Sequence, residues 1–301
     1  LVGVNETEAY TLVAEGKLGT GHGLVPAIVG LRDISYDTSL DVDGTLVGAA
    51  GEVLPAVWEA AERARAAGIH LALCSGRPGF GATRRLAERL APDGWHCFQN
   101  GASVLQLGSG RSRSAVLAPE TVAMLVARAR RAGRPLELYT DHDYAVERDH
   151  PLARRNAELL GLAFALRPYA SLSAPIVRGQ WLLWEAEAEA VLAEPHPGLV
   201  VSPSTAPSVP GAVFVNLTSA GVDKGAAVRA LAAEYGVALR EVMYVGDGFN
   251  DTPALRIVGW PVAMANAEPS ALALAPDVVG DVEEGGVAQA LDWAVGPGPQ
   301  G

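Results

Sequence analysis

The chain has 301 residues, 49% of them hydrophobic and 19% charged, and a formal charge of −11. That length suits two domains of ordinary size, and no apolar run reaches the roughly 18 residues that span a bilayer. The acidic balance argues against nucleic acid or anionic membrane as a partner, since binding to either rests on basic surface, but a phosphorylated small molecule stays open because one site can be locally positive.

Leu1 to Gly30 lacks the basic start and apolar core of a secretion signal, so a cytoplasmic address is expected and these residues read as an extension without an assigned role. Asp33-Ile-Ser-Tyr-Asp-Thr-Ser-Leu40 is the expected first strand, half polar and carrying an extra acid, Asp37. From about residue 52 helix and strand alternate, the signature of a parallel sheet with helices on its faces. Glu52 to Ala67 reads as a helix with Pro55 in its first turn and Gly68 closing it, Ile69 to Cys74 as a buried strand, Phe80 to Leu90 as a helix and Trp95 to Gln99 as a strand.

After Asn100-Gly-Ala102 the character changes. Short strands are expected at Ser103 to Leu107, Ser114 to Leu117, Leu136 to Tyr139, Gln180 to Trp184 and Leu199 to Ser202. Helices are expected near Glu120 to Ala132, His150 to Leu160 and Ala186 to Ala193, with runs rich in Gly, Ser and Pro between them. Alternation of the first kind returns with Ala212 to Leu217, a helix from Lys224 to Tyr235 and the apolar strand Val242 to Val245, and runs on to a last helix at Val287 to Ala294. The expected architecture is α/β, a Rossmann-like doubly wound core over residues 31–102 and 213–301 interrupted by an inserted α+β cap over residues 103–212. The two cysteines, Cys74 and Cys97, lie in apolar runs and read as buried free thiols.

In open α/β sheets ligands bind beyond the carboxyl ends of the strands, and four such ends carry reactive groups: Asp41-Val-Asp43-Gly-Thr45, Ser75-Gly-Arg77, Asp223-Lys224-Gly225 and Gly246-Asp-Gly-Phe-Asn-Asp251. Each suits a step of phosphoryl transfer. Asp41 would attack phosphorus and form an aspartyl-phosphate. Asp43 would protonate the leaving oxygen and then deprotonate the attacking water. The Ser75 hydroxyl and neighbouring backbone N–H groups, Gly76 included, would hold phosphate oxygens, and Lys224 would supply a compact charge. Asp247, helped by Asn250 and Asp251, would hold a divalent ion. Carboxylates at 41, 43, 247 and 251 in one pocket would repel one another unless a cation joined them, and oxygen-only ligands favour magnesium over zinc. Arg77 is expected to brace its loop with an ion pair. Asn100 and Asn266 read as turn residues or as groups facing the site, and His70 and His96 as satisfied structural histidines.

In order and spacing these motifs, with Val262-Ala-Met-Ala-Asn-Ala267 and Glu284-Gly-Gly-Val-Ala288, resemble the haloacid dehalogenase superfamily, above all its Cof-type subgroup with a type IIB cap, over residues 31–295. The resemblance implies a cap inserted after Asn100-Gly-Ala102. It implies Mg²⁺ held by Asp41, the backbone carbonyl of Asp43 and Asp247, and phosphate or substrate contacts from Ser75, Lys224 and Asn250. It also implies a phosphatase acting on small phosphorylated metabolites, commonly sugar phosphates. A phosphomutase, or a catalytically silent metabolite-binding protein on the same fold, is the alternative. The strand ahead of Asp41 is less apolar than the family pattern.

Overall fold

The computed structural model describes residues 37–48, 51–204 and 209–296; the segment from Leu1 to Gly30, set apart above, lies outside the described residues. The first half of the core runs through β1 (Asp37–Leu40), α1 (Pro55–Ala66), β2 (Leu71–Leu73), α2 (Ala82–Leu90), β3 (Trp95–Phe98) and β4 (Ser103–Gln106). A second layer follows with α3 (Pro119–Ala132), β5 (Leu136–Tyr139), β6 (Tyr144–Val146), α4 (Pro151–Leu159), β7 (Arg178–Trp184), α5 (Glu185–Leu192), β8 (Leu199–Ser204) and β9 (Ala212–Ser219). The chain then returns through α6 (Lys224–Tyr235), β10 (Val242–Gly246), α7 (Thr252–Leu255), β11 (Trp260–Met264), α8 (Pro269–Leu272), β12 (Asp277–Val279) and α9 (Gly286–Val295).

The core sheet has the order β12-β11-β10-β1-β2 with every pair parallel. β1 is central, and the chain leaves it for β2 on one side while β10 flanks it on the other, so the strand order reverses beside β1. Helices cover this sheet, and its core gathers Leu40, Leu71, Leu73, Met243, Val245 and Leu291, all buried. The second sheet is antiparallel, in the order β6-β5-β7-β9-β8. The expected doubly wound core with an antiparallel α+β cap is the architecture observed. Among the described residues no helix is long and apolar enough to cross a membrane.

Three expected elements fall elsewhere. Ala212 to Leu217, read as the return of the core, is the strand β9 of the second sheet, paired with β7 over Gly179–Trp184 and with β8. Its Val215 and Leu217 face one way and Asn216 and Thr218 the other, the period-two pattern of an antiparallel strand. Conversely, Ser103 to Gln106, read as the first strand of the cap, pairs antiparallel with β3, and Val104 and Leu105 are buried in the core cluster. Ser114 to Leu117 forms no strand, while β6 was not anticipated.

The polar first strand survives because its polar groups are accommodated. Thr38, Ser39 and Leu40 are buried. Asp37 Oδ1 accepts the His70 backbone N–H at 2.9 Å, and its Oδ2 lies 3.0 Å from His70 Nδ1, whose ring stacks on Tyr235. His96 is likewise structural: Nδ1 accepts the Leu73 N–H at 3.0 Å and Nε2 sits 2.8 Å from the Ala91 carbonyl. Burial pushes its pKa down to about 4, so the ring is neutral.

The second sheet buries one acid at real cost. Glu137 on β5 is wholly enclosed, with Oε2 accepting from the Tyr139 hydroxyl at 2.5 Å and from Asn156 Nδ2 at 2.7 Å. Burial raises its pKa from 4.5 to about 7 against these hydrogen bonds. Between those values the folded protein holds a proton that the unfolded chain has released. Stability from this group is therefore greatest below pH 4.5, falls as pH rises towards 7 and then levels, by about 3 kcal/mol in all. Glu137→Gln is expected to flatten that part of the curve, as measured by urea unfolding at a series of pH values.

Candidate active site

The reactive groups stand at the carboxyl ends of the core strands, beside the reversal of strand order where α/β sheets bind ligands. Asp41 directly follows β1 and is 6% exposed. The chain then turns back at once, with Leu46 and Val47 N–H both donating to the Val42 carbonyl. Gly44 makes this turn possible at φ +78°, and a Cβ there would lie 2.1 Å from Asp247 Oδ2. Glycine therefore lets the loop after β1 and the loop after β10 touch. Thr45 Oγ1 donates to Asp247 Oδ1 at 2.7 Å. Asn266, after β11, ties the same turn down, with Nδ2 donating to the Gly44 carbonyl at 2.7 Å while Oδ1 accepts from the Val282 N–H.

Lys224 enters at the first turn of α6, which Asp223 caps by accepting the Ala226 N–H at 2.7 Å. Its side chain is fully buried, and Nζ donates to Asp41 Oδ1 at 2.6 Å and to Asp251 Oδ1 at 2.7 Å. Asp251 has no oxygen to spare. Tyr244 donates to Oδ1 at 2.6 Å, and the Asp247 and Gly248 N–H groups donate to Oδ2 at 3.0 and 2.8 Å. This carboxylate orders the 246–251 loop and holds Lys224 in place. Tyr244 had not been singled out; the signal was a hydroxyl inside the otherwise apolar strand Val242-Met-Tyr-Val245.

Carboxylate oxygens of Asp41, Asp247 and Asp251 lie within 4.8 Å of one another. Burial, then the charge of Asp251, raises the Asp41 pKa well above the carboxylate range despite Lys224. Asp247 is pushed up to about 6, by burial first and by Asp251, against its hydrogen bond from Thr45. Burial would lower Lys224, yet Asp251 and Asp41 outweigh it and hold the ammonium well above its ordinary value. Three carboxylates against one ammonium leave an uncompensated negative charge in a buried, oxygen-only setting, which fits a hard divalent cation.

Of the other expected residues, Asp43 does not join this cluster. Its carboxylate is largely exposed and engaged on both oxygens by Arg77, Nε to Oδ2 at 2.9 Å and Nη2 to Oδ1. Arg77 thus braces, as expected, and the acid it braces is Asp43. Ser75 is fully buried where the chain leaves β2 beside Asp41, since Cys74 N–H donates to the Leu40 carbonyl at 2.7 Å. Its Oγ accepts the Arg77 N–H at 3.0 Å. Asn100, in a left-handed conformation at φ 57°, donates its backbone N–H to the Ser75 carbonyl, and its Oδ1 accepts from Asn250 Nδ2 at 3.0 Å. A cleft of about 740 Å³ runs between this site and the second sheet, reaching Lys224 and Asn250 on one wall and Ser202, Asn216 and Thr218 on the other.

A family model described as haloacid dehalogenase-like hydrolase matches residues 38–162 and 203–291. The chain belongs to that family. Among curated relatives, YxeH of Bacillus subtilis (strain 168), provisionally named a phosphatase, is 27% identical over 260 residues, covering 84% of this chain and 96% of that protein. A haloacid dehalogenase-like hydrolase from Bacteroides thetaiotaomicron superposes with a TM-score of 0.75 at 26% identity, over 85% of this chain and 97% of the other. The structure of a sugar phosphatase of subclass IIB shares the fold at a TM-score of 0.71 and 22% identity, with the same coverage of both chains.

Proposed function

We propose that this haloacid dehalogenase-like hydrolase is a magnesium-dependent phosphatase of small phosphorylated metabolites, sugar phosphates foremost, working through an aspartyl-phosphate on Asp41. The observation that carries the reading is the buried Asp41 carboxylate held by Lys224 at 2.6 Å at a strand end, with Asp247 and Asp251 converging on it. Asp41 and Asp247, with the Asp43 carbonyl, would hold Mg²⁺, and Asp251 would support them through Lys224 and the 246–251 loop. When bound, the ion would draw charge from the phosphoryl oxygens and screen them from the attacking carboxylate.

The protein's own groups divide the remaining work. A carboxylate oxygen of Asp41 forms the bond to phosphorus while the bond to the leaving oxygen breaks, and that oxygen takes a proton from Asp43. Water then attacks the same phosphorus and gives a proton to Asp43 as the Asp41 bond breaks. Asp43 needs two protonation states for this. Arg77 holds both of its oxygens beside the site, and Asp43 leaves the guanidinium to meet the leaving oxygen. Ser75 and Lys224 steady the phosphoryl oxygens. Ser202, Asn216 and Thr218 supply hydrogen bonds to a hydroxyl-rich leaving group across the cleft, in keeping with the sugar phosphatase that shares this fold.

The test is phosphate release from a panel of phosphorylated metabolites, with Mg²⁺ and with excess EDTA. Turnover with the metal and its loss with chelator are expected, together with one solvent oxygen in the released phosphate when the water is labelled. Phosphate moved within the sugar without solvent oxygen would point to a phosphomutase instead. Binding without any turnover would leave a silent metabolite-binding protein.

A further inference from the structure

Arg178, on β7, is 3% exposed; the charge of buried Glu137 acts on it, but among the described residues its hydrogen bonds go to neutral acceptors. Burying a guanidinium without an acid in contact is costly, and burial lowers its pKa although the charge of Glu137 acts the other way. Its contacts are otherwise placed. The guanidinium lies over the Tyr139 ring at 4.0 Å, and Nη1 donates to two acceptors, Asn216 Oδ1 at 3.1 Å and the Gly76 carbonyl at 2.9 Å. The first lines the cleft. The second belongs to the loop that carries Ser75, 102 residues away in sequence.

The Gly76 carbonyl and the Arg77 N–H are two ends of one planar peptide and point in opposite directions. That N–H donates to Ser75 Oγ. With Oγ accepting from the peptide, the hydroxyl hydrogen of Ser75 is left to donate elsewhere. A guanidinium at one end and a hydroxyl at the other polarise the peptide in the same sense, so each bond strengthens the other. The chain of contacts runs from the cleft wall at Asn216, through Arg178 and the Gly76–Arg77 peptide, to Ser75.

We propose that Arg178 is a positioning residue: from the second sheet it orients the Gly76–Arg77 peptide and thereby the Ser75 hydroxyl towards phosphate, coupling what occupies the cleft at Asn216 to the phosphate-holding loop. The proposal rests on the phosphatase reading above, and a double-mutant cycle in Arg178 and Ser75 tests it. On the substrate best turned over in the panel, Ser75→Ala is expected to lower kcat/KM about 10²-fold, and Arg178→Met about tenfold. In the Ser75→Ala background Arg178→Met should change nothing further. Arg178→Lys, whose ammonium can still reach the Gly76 carbonyl, should recover part of the loss when Ser75 is present and none when it is absent.

If the Arg178 loss is the same with and without Ser75, Arg178 is merely structural and the proposal falls while the phosphatase reading stands. Thermal unfolding checks that each variant is folded, and should Arg178→Met fail to fold, the Arg178→Lys arm carries the cycle. If the wild type releases phosphate from nothing in the panel, the phosphatase reading fails on its own. The same cycle is then read as the Kd for orthovanadate by calorimetry, where independent effects would again overturn the role of Arg178.

Discussion

Asp41→Asn is expected to lower phosphate release by roughly 10⁴-fold while leaving the fold almost untouched. The amide has nearly the shape of the carboxylate and can still accept from Lys224, but it cannot form the bond to phosphorus. Effects on stability nearly cancel. Burial and the neighbouring Asp251 push the Asp41 pKa well above its ordinary range, so removing that charge relieves a cost of folding. Against this, the bond to Lys224 loses its charge assistance. The net change by urea unfolding should stay within about 1 kcal/mol. A variant that keeps full turnover would remove Asp41 as nucleophile. A loss of several kcal/mol would make it a structural member of the ion cluster, and the lost activity would then no longer identify the attacking group.

The site was legible in the sequence to the extent that its residues sit where strands end. Ser75 and Asp247 follow apolar runs, Asp41 follows a half-polar strand that ends in Leu40, and Asp251 lies in the same loop as Asp247; a parallel sheet brings such strand ends together whatever the details between them. Lys224 stood out because Lys17 is the only other lysine. Contacts between side chains were not legible in the same way. Nothing in the spacing of Asp43 and Arg77 shows that they pair, and Asp251, read as a helper to the metal, turns out to spend both oxygens on Lys224, Tyr244 and two backbone N–H groups.

Strand membership was ambiguous for a related reason. A short apolar run such as Ala212 to Leu217 looks the same in a core sheet and in a cap, and only its partner decides. That partner, β7, lies some thirty residues earlier in sequence and pairs through Gly179–Trp184. The polar stretch before Asp41 is a strand as expected, β1, but what offsets its polarity was not legible. Its acid is satisfied by His70, a residue that becomes its neighbour only when β2 docks against β1.

Lys224→Met is expected to cost about 3 to 5 kcal/mol of stability together with nearly all turnover. Methionine fills much of the volume, so the loss is electrostatic: Asp41 and Asp251 remain buried at 2.6 and 2.7 Å from where the ammonium stood, with no counter-charge. A carboxylate in that position folds more readily protonated. The variant should therefore be less unstable near pH 5 than near pH 8, with a steeper decline between them than the wild type shows. Mg²⁺ should restore part of the stability without restoring activity, since it can offset the carboxylates but cannot reproduce the contact to Asp41 from α6. Lys224→Arg should not rescue, because a planar fork has no room where a single Nζ meets two carboxylate oxygens in a closed site. Urea unfolding at both pH values, with and without Mg²⁺, separates these outcomes. A variant as stable as the wild type would mean that the cluster stays balanced without Lys224, and the case for a cation bound beside Asp41 and Asp247 would lose its electrostatic basis.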